Sequence, residues 1–390
     1  MCDLSDKNVN LFKYFSNNSM TEGVIEYISD HILLYGFLAQ LLAAVLSIYF
    51  VPTVRKLALA KKITDSPSAR KSHTTEVPVL GGVAVYLAAA FSMFVIAFVF
   101  PSKIDANDFF LLGFGSMVLL FVGVLDDIVG LKPMTKLILQ IVVCFVLIHN
   151  APLYIANMHG LFGFSEIPYI PSLLLSVFVY VVFVNMLNLI DGIDGLASGI
   201  SVVAFSFFAY VGFVETDYYN MLVSMAGMGC LIPFMYYNMF SDRKIFLGDN
   251  GSLVMGIILG YLCLDFISVT NTSDQLFGDT KIVVLMSVFS YPLVDTFRVF
   301  VVRVLRKKSP FSADKNHIHH HLLRLGLSHR KATLVVIVYT IFITGVSFLI
   351  SGIDINVAFI ALLLISVFVI CLPSFLIKNE NGSISFRKKA

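Results

Sequence analysis

The stretch Asn185–Gly199, NMLNLIDGIDGLASG, places two asparagines and two aspartates between two strongly apolar runs. The run before it, residues 173–184, reads LLLSVFVYVVFV, and the run after it, residues 200–213, reads ISVVAFSFFAYVGF. Carboxylates close to hydrocarbon are energetically costly and are usually retained for a function. The stretch therefore predicts a polar site at the junction of two membrane-spanning segments.

The composition of the whole chain is that of a membrane protein. Of its 390 residues, 58% are hydrophobic and only 13% are charged, against about 25% charged residues in soluble domains. The net charge of +2 gives no sign of a nucleic-acid partner, and the five cysteines have no spacing typical of a disulfide framework or a zinc finger. We therefore predict an all-α, polytopic integral membrane protein in contact with the lipid bilayer.

About eleven runs have the length and hydrophobicity of a transmembrane helix. They form one multi-span domain, residues 32–377, between a polar N-terminal segment, 1–31, and a basic tail, 378–390. The predicted spans are 32–54, 79–100, 109–125, 136–150, 172–190, 196–215, 220–240, 252–271, 281–303, 333–352 and 355–377.

The distribution of lysine and arginine predicts the orientation of these spans. With eleven spans, 22 of these residues fall on one side and 4 on the other, and Arg298 lies inside a span. Positively charged residues favour the cytoplasmic side. The N-terminus is therefore predicted to be periplasmic or outside, and the C-terminus cytoplasmic.

Five polar motifs fall on the predicted cytoplasmic side, although no step in assigning the spans required it. Each lies in a loop or at the end of a span, and the predicted external loops contain nothing comparable. The motifs are ARKSHTTEVPVLGG (69–82), VGVLDDIVGLKPMT (122–135), the opening stretch, SDRKIFLGDNGS (241–252) and KKSPFSADKNHIHHHLLRLG (307–326).

The carboxylates in these motifs suit a metal ion or proton transfer. The adjacent Asp126 and Asp127 would raise one another's pKa unless a cation neutralises them, although they could equally cap a helix end. Asn185, Asn188 and Asp191 recur every three residues, which would place them on one face of a helix, and Asp194 extends the series. Capping explains one aspartate but not two asparagines inside a span.

Two further motifs are less specific. GDNGS, residues 248–252, is predicted to open a helix whose free N–H groups could bind a phosphate, while Asp249 could hold Mg²⁺; a simple capped turn is the alternative. The histidines 317–321 could bind zinc or a polyphosphate, and the surrounding lysines and arginines favour the polyphosphate. Asp295 and Arg298, three residues apart, are predicted to form an internal ion pair.

Taken in order, the motifs resemble those of the polyprenyl-phosphate N-acetylhexosamine-1-phosphate transferases, a family that includes WecA-type and MraY-type enzymes. The resemblance runs from about Arg70 to about His321 and is carried by RKSH, PVLGG, DDIVGL, NMLNLIDGIDGLASG, FLGDNGS and PFSADKNHIHHH. It implies transfer of a sugar 1-phosphate from a UDP-sugar to undecaprenyl phosphate, release of UMP, a requirement for Mg²⁺ or Mn²⁺, and an active site at the cytoplasmic face of the bacterial inner membrane.

The resemblance also implies a role for individual residues. Asp126 and Asp127 match a pair that binds or deprotonates the lipid phosphate, Asp249 matches a metal ligand, and Phe246 matches an aromatic residue beside the uracil. Asn188, Asp191 and Asp194 match nucleotide-side and metal-side residues, with Asp191 as a second metal ligand. His317, His319 and His320 match residues that contact the diphosphate. The remaining predicted substrate-binding residues are Arg70, Lys71, His73, Asn185, Gly248, Arg306 and His321.

The SPFSADKN run before the histidines is close to the WecA-type form, and Gly130 and Leu131 stand where MraY-type sequences usually carry lysine. This favours UDP-GlcNAc as donor, with another UDP-N-acetylhexosamine as the alternative. The lipid phosphate is expected to attack directly, and a covalent intermediate on Asp127 is the rival route. A divalent-cation transporter is the alternative from another class, and a homo-oligomer stays open.

Overall fold

The computed structural model describes residues 32–65, 76–100, 106–268, 274–307, 316–378 and 384–386. Arg70, Lys71, His73 and the N-terminal segment 1–31 lie outside these ranges, as do most residues of the predicted tail. The helices are α1 Ile32–Ala60, α2 Gly81–Val99, α3 Ala106–Val129, α4 Pro133–Asn150, α5 Tyr169–Ile190, α6 Leu196–Val214, α7 Tyr218–Met239, α8 Gly248–Ile267, α9 Asp274–Phe277, α10 Lys281–Val288, α11 Ser290–Leu305, α12 Ile318–Arg324, α13 His329–Leu349 and α14 Ile355–Cys371.

Strands are few and short in the described part of the chain. Strand β1, Thr64–Asp65, pairs antiparallel with β2, Val77–Pro78, and β3, Leu376–Lys378, pairs antiparallel with β4, Ile384–Phe386. The second hairpin lies where the sequence predicts a basic tail. The loop before α5, predicted to be external, carries a bridge between Asn157 and Glu166 and a 3₁₀ turn, Leu161–Gly163.

Nine of the described helices are long and apolar enough to cross a membrane: α1 to α8 and α13. The predicted ninth span, 281–303, is not one straight helix, because α10 and α11 meet at an angle of 70°. The last predicted span, 355–377, begins with α14 but extends beyond it, because α14 has 17 residues and ends at Cys371. The chain is therefore mostly helical and polytopic, as its hydropathy predicts.

Helix α8 occupies the centre of the bundle. Almost all of its residues are buried, and it packs against α2, α3, α5 and α6. By contrast, the flanking helices α1, α3 and α4 leave many large apolar side chains exposed, as expected for surfaces that face lipid. The N-terminus of α8 carries the GDNGS motif, so the fold brings this motif to the middle of one face of the bundle.

Candidate active site

A cavity of about 620 Å³ opens beside the N-terminus of α8. It is lined by polar and charged residues from six separate segments, among them four aspartates that the sequence singled out. Its lining includes Thr64, Asp65, Asp127, Asp191, Asp194, Asn238, Phe246, Gly248, Asp249, His320, Arg324 and His329. The predicted convergence of distant polar motifs is thus observed.

The N-terminus of α8 is capped by Asp127, at the end of α3. The Asp127 carboxylate accepts hydrogen bonds from the backbone N–H groups of Asp249 and Asn250, each at 3.1 Å, and from the Asn250 side chain at 2.5 Å. The expectation that these N–H groups are free to bind phosphate is therefore wrong for the structure, because a side chain from another helix already occupies them.

Glycines allow the chain to approach closely around this cap. Gly248 has a φ of +76°, and a Cβ atom there would lie 2.2 Å from the Val79 carbonyl oxygen. A Cβ on Gly82 would lie 2.1 Å from the backbone of Gly251. The backbone of 81–82 also donates hydrogen bonds to the carbonyls of Phe246 and Leu247, at 3.0 and 2.8 Å. The PVLGG and FLGDNGS motifs therefore form one packed unit.

Lys136, on α4, is a site residue that none of the sequence motifs indicated. Its Nζ contacts Asp249 Oδ2 at 2.5 Å, Asp126 Oδ2 at 2.8 Å and Asn188 Oδ1 at 3.4 Å. The Asn188 amide in turn donates to Asp249 Oδ1 at 2.8 Å. We call Asp126, Lys136, Asn188 and Asp249 the Asp249 cluster. A lysine ten residues after the aspartate pair, at the polar end of an apolar run, was the signal available in the sequence.

The opening stretch divides between a helix and a turn. Helix α5 ends at Ile190, so Asn185 and Asn188 lie on the helix, whereas Asp191 and Asp194 follow it in the turn before α6. The expectation of one continuous helical face is therefore wrong beyond Asn188. Asn185 is also absent from the cavity lining, because its amide donates at 2.6 Å to Gln140 on α4.

Asp191 has the properties expected of a metal ligand. Within the described residues no hydrogen-bond donor reaches its carboxylate. Its burial, and then the negative charges of Asp249, Asp127 and Asp194, raise its pKa well above the usual value. A bound cation would relieve this repulsion.

The donor set around Asp191 fits Mg²⁺ better than a metal held by protein alone. Within the part of the chain that the structure describes, no three His, Cys, Asp or Glu side chains are grouped closely enough to hold a metal. Mg²⁺ commonly takes one or two carboxylates and completes its shell with phosphate oxygens and water. Asp191 and Asp249 supply such a pair of carboxylates at the cavity wall.

Asp194 is held by an ion-pair network. Its carboxylate contacts Lys244 Nζ at 2.6 Å and His329 Nδ1 at 3.1 Å, and its backbone oxygen accepts from Thr333 at 2.7 Å. Burial would raise the pKa of Asp194, but the hydrogen bonds from His329 and Lys244 outweigh it and hold the pKa below its usual range. These contacts tie the turn after α5 to the start of α13.

The histidine segment, residues 317–321, is held in place by Asp295, on α11. The fully buried Asp295 carboxylate contacts His317 Nδ1 at 2.9 Å and Arg298 Nη2 at 2.7 Å, and it also accepts from the backbone N–H of Ile318. Arg298 further donates to the carbonyl of Asn316. We call Asp295, Arg298 and His317 the Asp295 cluster. The predicted Asp295–Arg298 pair is confirmed, and it supports a histidine as well.

Only one histidine of this segment lines the cavity. His320 does so, whereas His319 is buried against Gly192 and contacts the Tyr291 hydroxyl at 3.1 Å. Burial, followed by the charges of His320 and His317, lowers the pKa of His319 to about 3, so its imidazole is neutral at physiological pH. Of the three histidines predicted to contact a diphosphate, His317 and His319 lie behind the cavity wall.

The other predicted binding residues are divided in the same way. Phe246 and Gly248 line the cavity, and Lys244 Nζ lies 5.2 Å from the centre of the Phe246 ring. Arg306 and His321 are not among the lining residues. Arg324, within the motif of residues 307–326, and His329, which lies in none of the five motifs, also line the cavity.

Comparison with known proteins shows what this chain is similar to. Residues 109–267 match the family described as glycosyl transferase family 4. The chain is 28% identical over 365 residues to a probable undecaprenyl-phosphate N-acetylglucosaminyl 1-phosphate transferase of Bacillus subtilis (strain 168), covering 91% of this chain and 93% of the relative.

Two further relatives come from distant bacteria. An undecaprenyl-phosphate alpha-N-acetylglucosaminyl 1-phosphate transferase of Salmonella typhi is 27% identical over 78% of this chain and 82% of its own length. A decaprenyl-phosphate N-acetylglucosaminephosphotransferase of Mycolicibacterium smegmatis is 29% identical over 77% of this chain and 78% of its own length. The part of the chain that is similar to glycosyl transferase family 4, residues 109–267, includes Asp127, Asp191, Asp194 and Asp249 of the cavity.

Proposed function

We propose that this protein transfers GlcNAc 1-phosphate from UDP-GlcNAc to undecaprenyl phosphate, giving undecaprenyl-diphosphate-GlcNAc and UMP. The reaction would begin the synthesis of a cell-surface polysaccharide. The names of the relatives in Bacillus subtilis and Salmonella typhi support both the acceptor and the sugar. The same transfer from another UDP-N-acetylhexosamine is the closest alternative.

The observation that carries this proposal is the Asp249 cluster, which reaches the cavity wall through Asp249. It places a lysine between two carboxylates, with Asp191 and His320 on the same cavity. Phosphoryl transfer needs little covalent chemistry from the protein, and its main requirements are positioning and neutralisation of charge. A site that combines a lysine, carboxylates that can bind a metal ion and a histidine meets these requirements.

The contacts of Asp127 favour direct attack by the lipid phosphate. An oxygen of undecaprenyl phosphate would attack the β-phosphorus of the donor, and the bond from that phosphorus to the oxygen bridging to the α-phosphate would break, so that UMP leaves. A nucleophilic Asp127 would have to give up three N–H donors at the start of α8. Asp126, paired with Lys136, is the better placed of the two to accommodate the acceptor phosphate.

Asp191 and Asp249 would hold Mg²⁺, or Mn²⁺, which would neutralise the diphosphate of the donor when bound. Lys136, which contacts Asp249 in this structure, adds a second positive charge at the same place. Phe246 offers an aromatic face for the uracil, and His320 and Arg324, on α12, offer cationic or hydrogen-bonding groups. Arg70, Lys71, His73, Arg306 and His321 stay predictions for substrate binding, as does the catalytic assignment of Asp194.

The excess of lysine and arginine on one side supports an orientation with the N-terminus outside, eleven spans, and this cavity at the cytoplasmic face of the bacterial inner membrane. We propose a single transferase domain over residues 32–377. UDP-sugars are cytoplasmic, so this orientation brings the donor directly to the cavity, while the acceptor phosphate reaches it from the inner leaflet.

An assay of membranes with radiolabelled UDP-GlcNAc tests the proposal. Label is expected in a butanol-extractable lipid, with a requirement for added undecaprenyl phosphate in purified protein and with loss of signal on EDTA treatment. A panel of UDP-sugars then identifies the donor. Uptake of a divalent cation without any lipid labelling would instead indicate a transporter.

A further inference from the structure

The position of Lys136 on helix α4 depends on polar contacts, because few buried apolar residues lie near it on this helix. The helix packs mainly against α3 and α5, and its buried residues are Gln140, Cys144, Leu147 and Ile148. None of its first seven residues, 133–139, is buried. Apolar packing of buried residues therefore fixes the C-terminal half of α4, whereas the half that carries Lys136 contacts the core through partly buried residues such as Leu139.

Gln140 is a polar side chain buried in this otherwise apolar helix. It is fully buried, and its Oε1 accepts a hydrogen bond of 2.6 Å from Asn185 Nδ2 on α5. Its own Nε2 has no partner in the part of the chain that the structure describes. A buried amide with an unused donor costs stability that a leucine would not. Its presence here is therefore not explained by packing.

The two amides form the second rung of a ladder between α4 and α5. Gln140 follows Lys136 by four residues and Asn185 precedes Asn188 by three, so each pair lies on one face of its helix. The first rung, Lys136 to Asn188, belongs to the Asp249 cluster. The second rung, Gln140 to Asn185, contains none of the groups that contact Asp249.

We propose that Gln140 and Asn185 are positioning residues, which fix the cytoplasmic half of α4 on α5 so that the Lys136 ammonium stays between Asp126 and Asp249. The inference rests on the proposed phosphotransfer function. Asn185, expected from its spacing to bind substrate, acts through Gln140 and Lys136 instead. Because a displacement of about 1 Å at a reacting group can cost up to about 100-fold in rate, one interhelical hydrogen bond is enough to matter.

The first test removes the rung and then rebuilds it. Gln140→Met keeps the length and most of the volume of the side chain but removes the acceptor, and we expect kcat to fall by about 10-fold or more. The double variant Gln140→Asn with Asn185→Gln moves one methylene from α4 to α5 and keeps an amide pair. It should recover most of the activity that either of its single variants loses.

The second test asks whether the effect passes through Lys136. In a Lys136→Arg background, adding Gln140→Met should cost less than about twofold, since the geometry it protects is already lost. If Gln140→Met lowers kcat by the same factor in both backgrounds, or leaves the wild-type rate unchanged, the proposal is overturned.

Ser176→Ala is the matched control, because Ser176 is also buried on α5 and hydrogen bonds the Ile155 N–H at 2.7 Å, far along the helix from the site. It should alter thermal stability without altering kcat. All rates are normalised to folded protein by thermal unfolding. Absence of any lipid-linked product from the wild-type protein would refute the proposed function itself, whereas an active wild type with an indifferent Gln140 would refute only this inference.

Discussion

The Asp249 cluster and the Asp295 cluster are built from the same kinds of group, yet they differ in exposure. Each joins an aspartate to a cationic side chain and to a group from another helix or segment. The side chain of Asp249 is 36% exposed at the cavity wall, whereas that of Asp295 is 0% exposed beneath the histidine segment. One cluster can exchange its partners for a ligand, and the other cannot.

The difference shows that one site can contain both carboxylates available to bind a ligand and carboxylates that stabilise the fold. Removing one partner of a buried ion pair strongly destabilises a protein, because the remaining charge is left without water or a counter-ion. Partly exposed pairs are screened by water and contribute little to stability. Substitutions in the two clusters should therefore separate loss of rate from loss of folding.

Asp249→Asn should produce the largest loss of activity. It removes a negative charge that would hold the metal and that contacts Lys136, so we expect transfer to fall by about 1,000-fold or more, with little change in the unfolding temperature. Lipid-linked product and thermal unfolding are measured on the same preparation. Asp354→Asn, at the N-terminus of α14, is the control. Near-normal activity of Asp249→Asn would remove this residue from the metal site.

Asp295→Asn should affect folding as well as rate. It leaves His317 and Arg298 with a weaker acceptor, so we expect the free energy of unfolding to drop by about 3 kcal/mol. Transfer should fall by about 10-fold or more, because His320 is attached to the same segment. An unchanged unfolding temperature would contradict the architectural role and erase the contrast between the two clusters.

Asp127→Asn distinguishes a helix cap from a nucleophile. Asparagine also caps helix N-termini well, so the variant should keep transfer within about 100-fold of wild type. If Asp127 were the nucleophile of a covalent route, Asp127→Asn would instead abolish transfer. Such a route also predicts exchange of UMP into UDP-GlcNAc by delipidated wild-type enzyme. Observation of that exchange would overturn direct attack.

Asp194→Asn should give the smallest effect of these four substitutions. Its effect on stability should depend on pH, because Asp194 is paired with Lys244 and His329. The folded state lowers the pKa of Asp194, so the stabilising contribution is present above the ordinary carboxyl pKa and is lost as pH falls through the lowered value. We expect the variant to be less stable by about 1 kcal/mol from pH 8 to pH 5, with the difference shrinking below about pH 4. A difference that grows on acidification would contradict this assignment.

Much of the fold could be predicted from the sequence, since hydropathy depends on neighbouring residues alone. Each of the eleven apolar runs overlaps at least one described helix, but the 70° bend between α10 and α11 was not visible, because Phe289 continues the apolar pattern across it. The GDNGS motif opens a helix as its glycines indicate. The sequence did not indicate which side chain would accept hydrogen bonds from the N–H groups of this helix, because that side chain, Asp127, lies 122 residues away.

By itself, the sequence determined that the chain is embedded in a membrane, that its acidic and histidine motifs gather at one face, and that it resembles a phosphoglycosyl transferase. Only the tertiary structure decided the partners: Lys136 with Asp249, Gln140 with Asn185, and Asp295 with His317. Hydrophobic periodicity is a local property and can be read along the chain. A hydrogen bond between distant segments depends on how whole helices pack, so it is decided only when they meet.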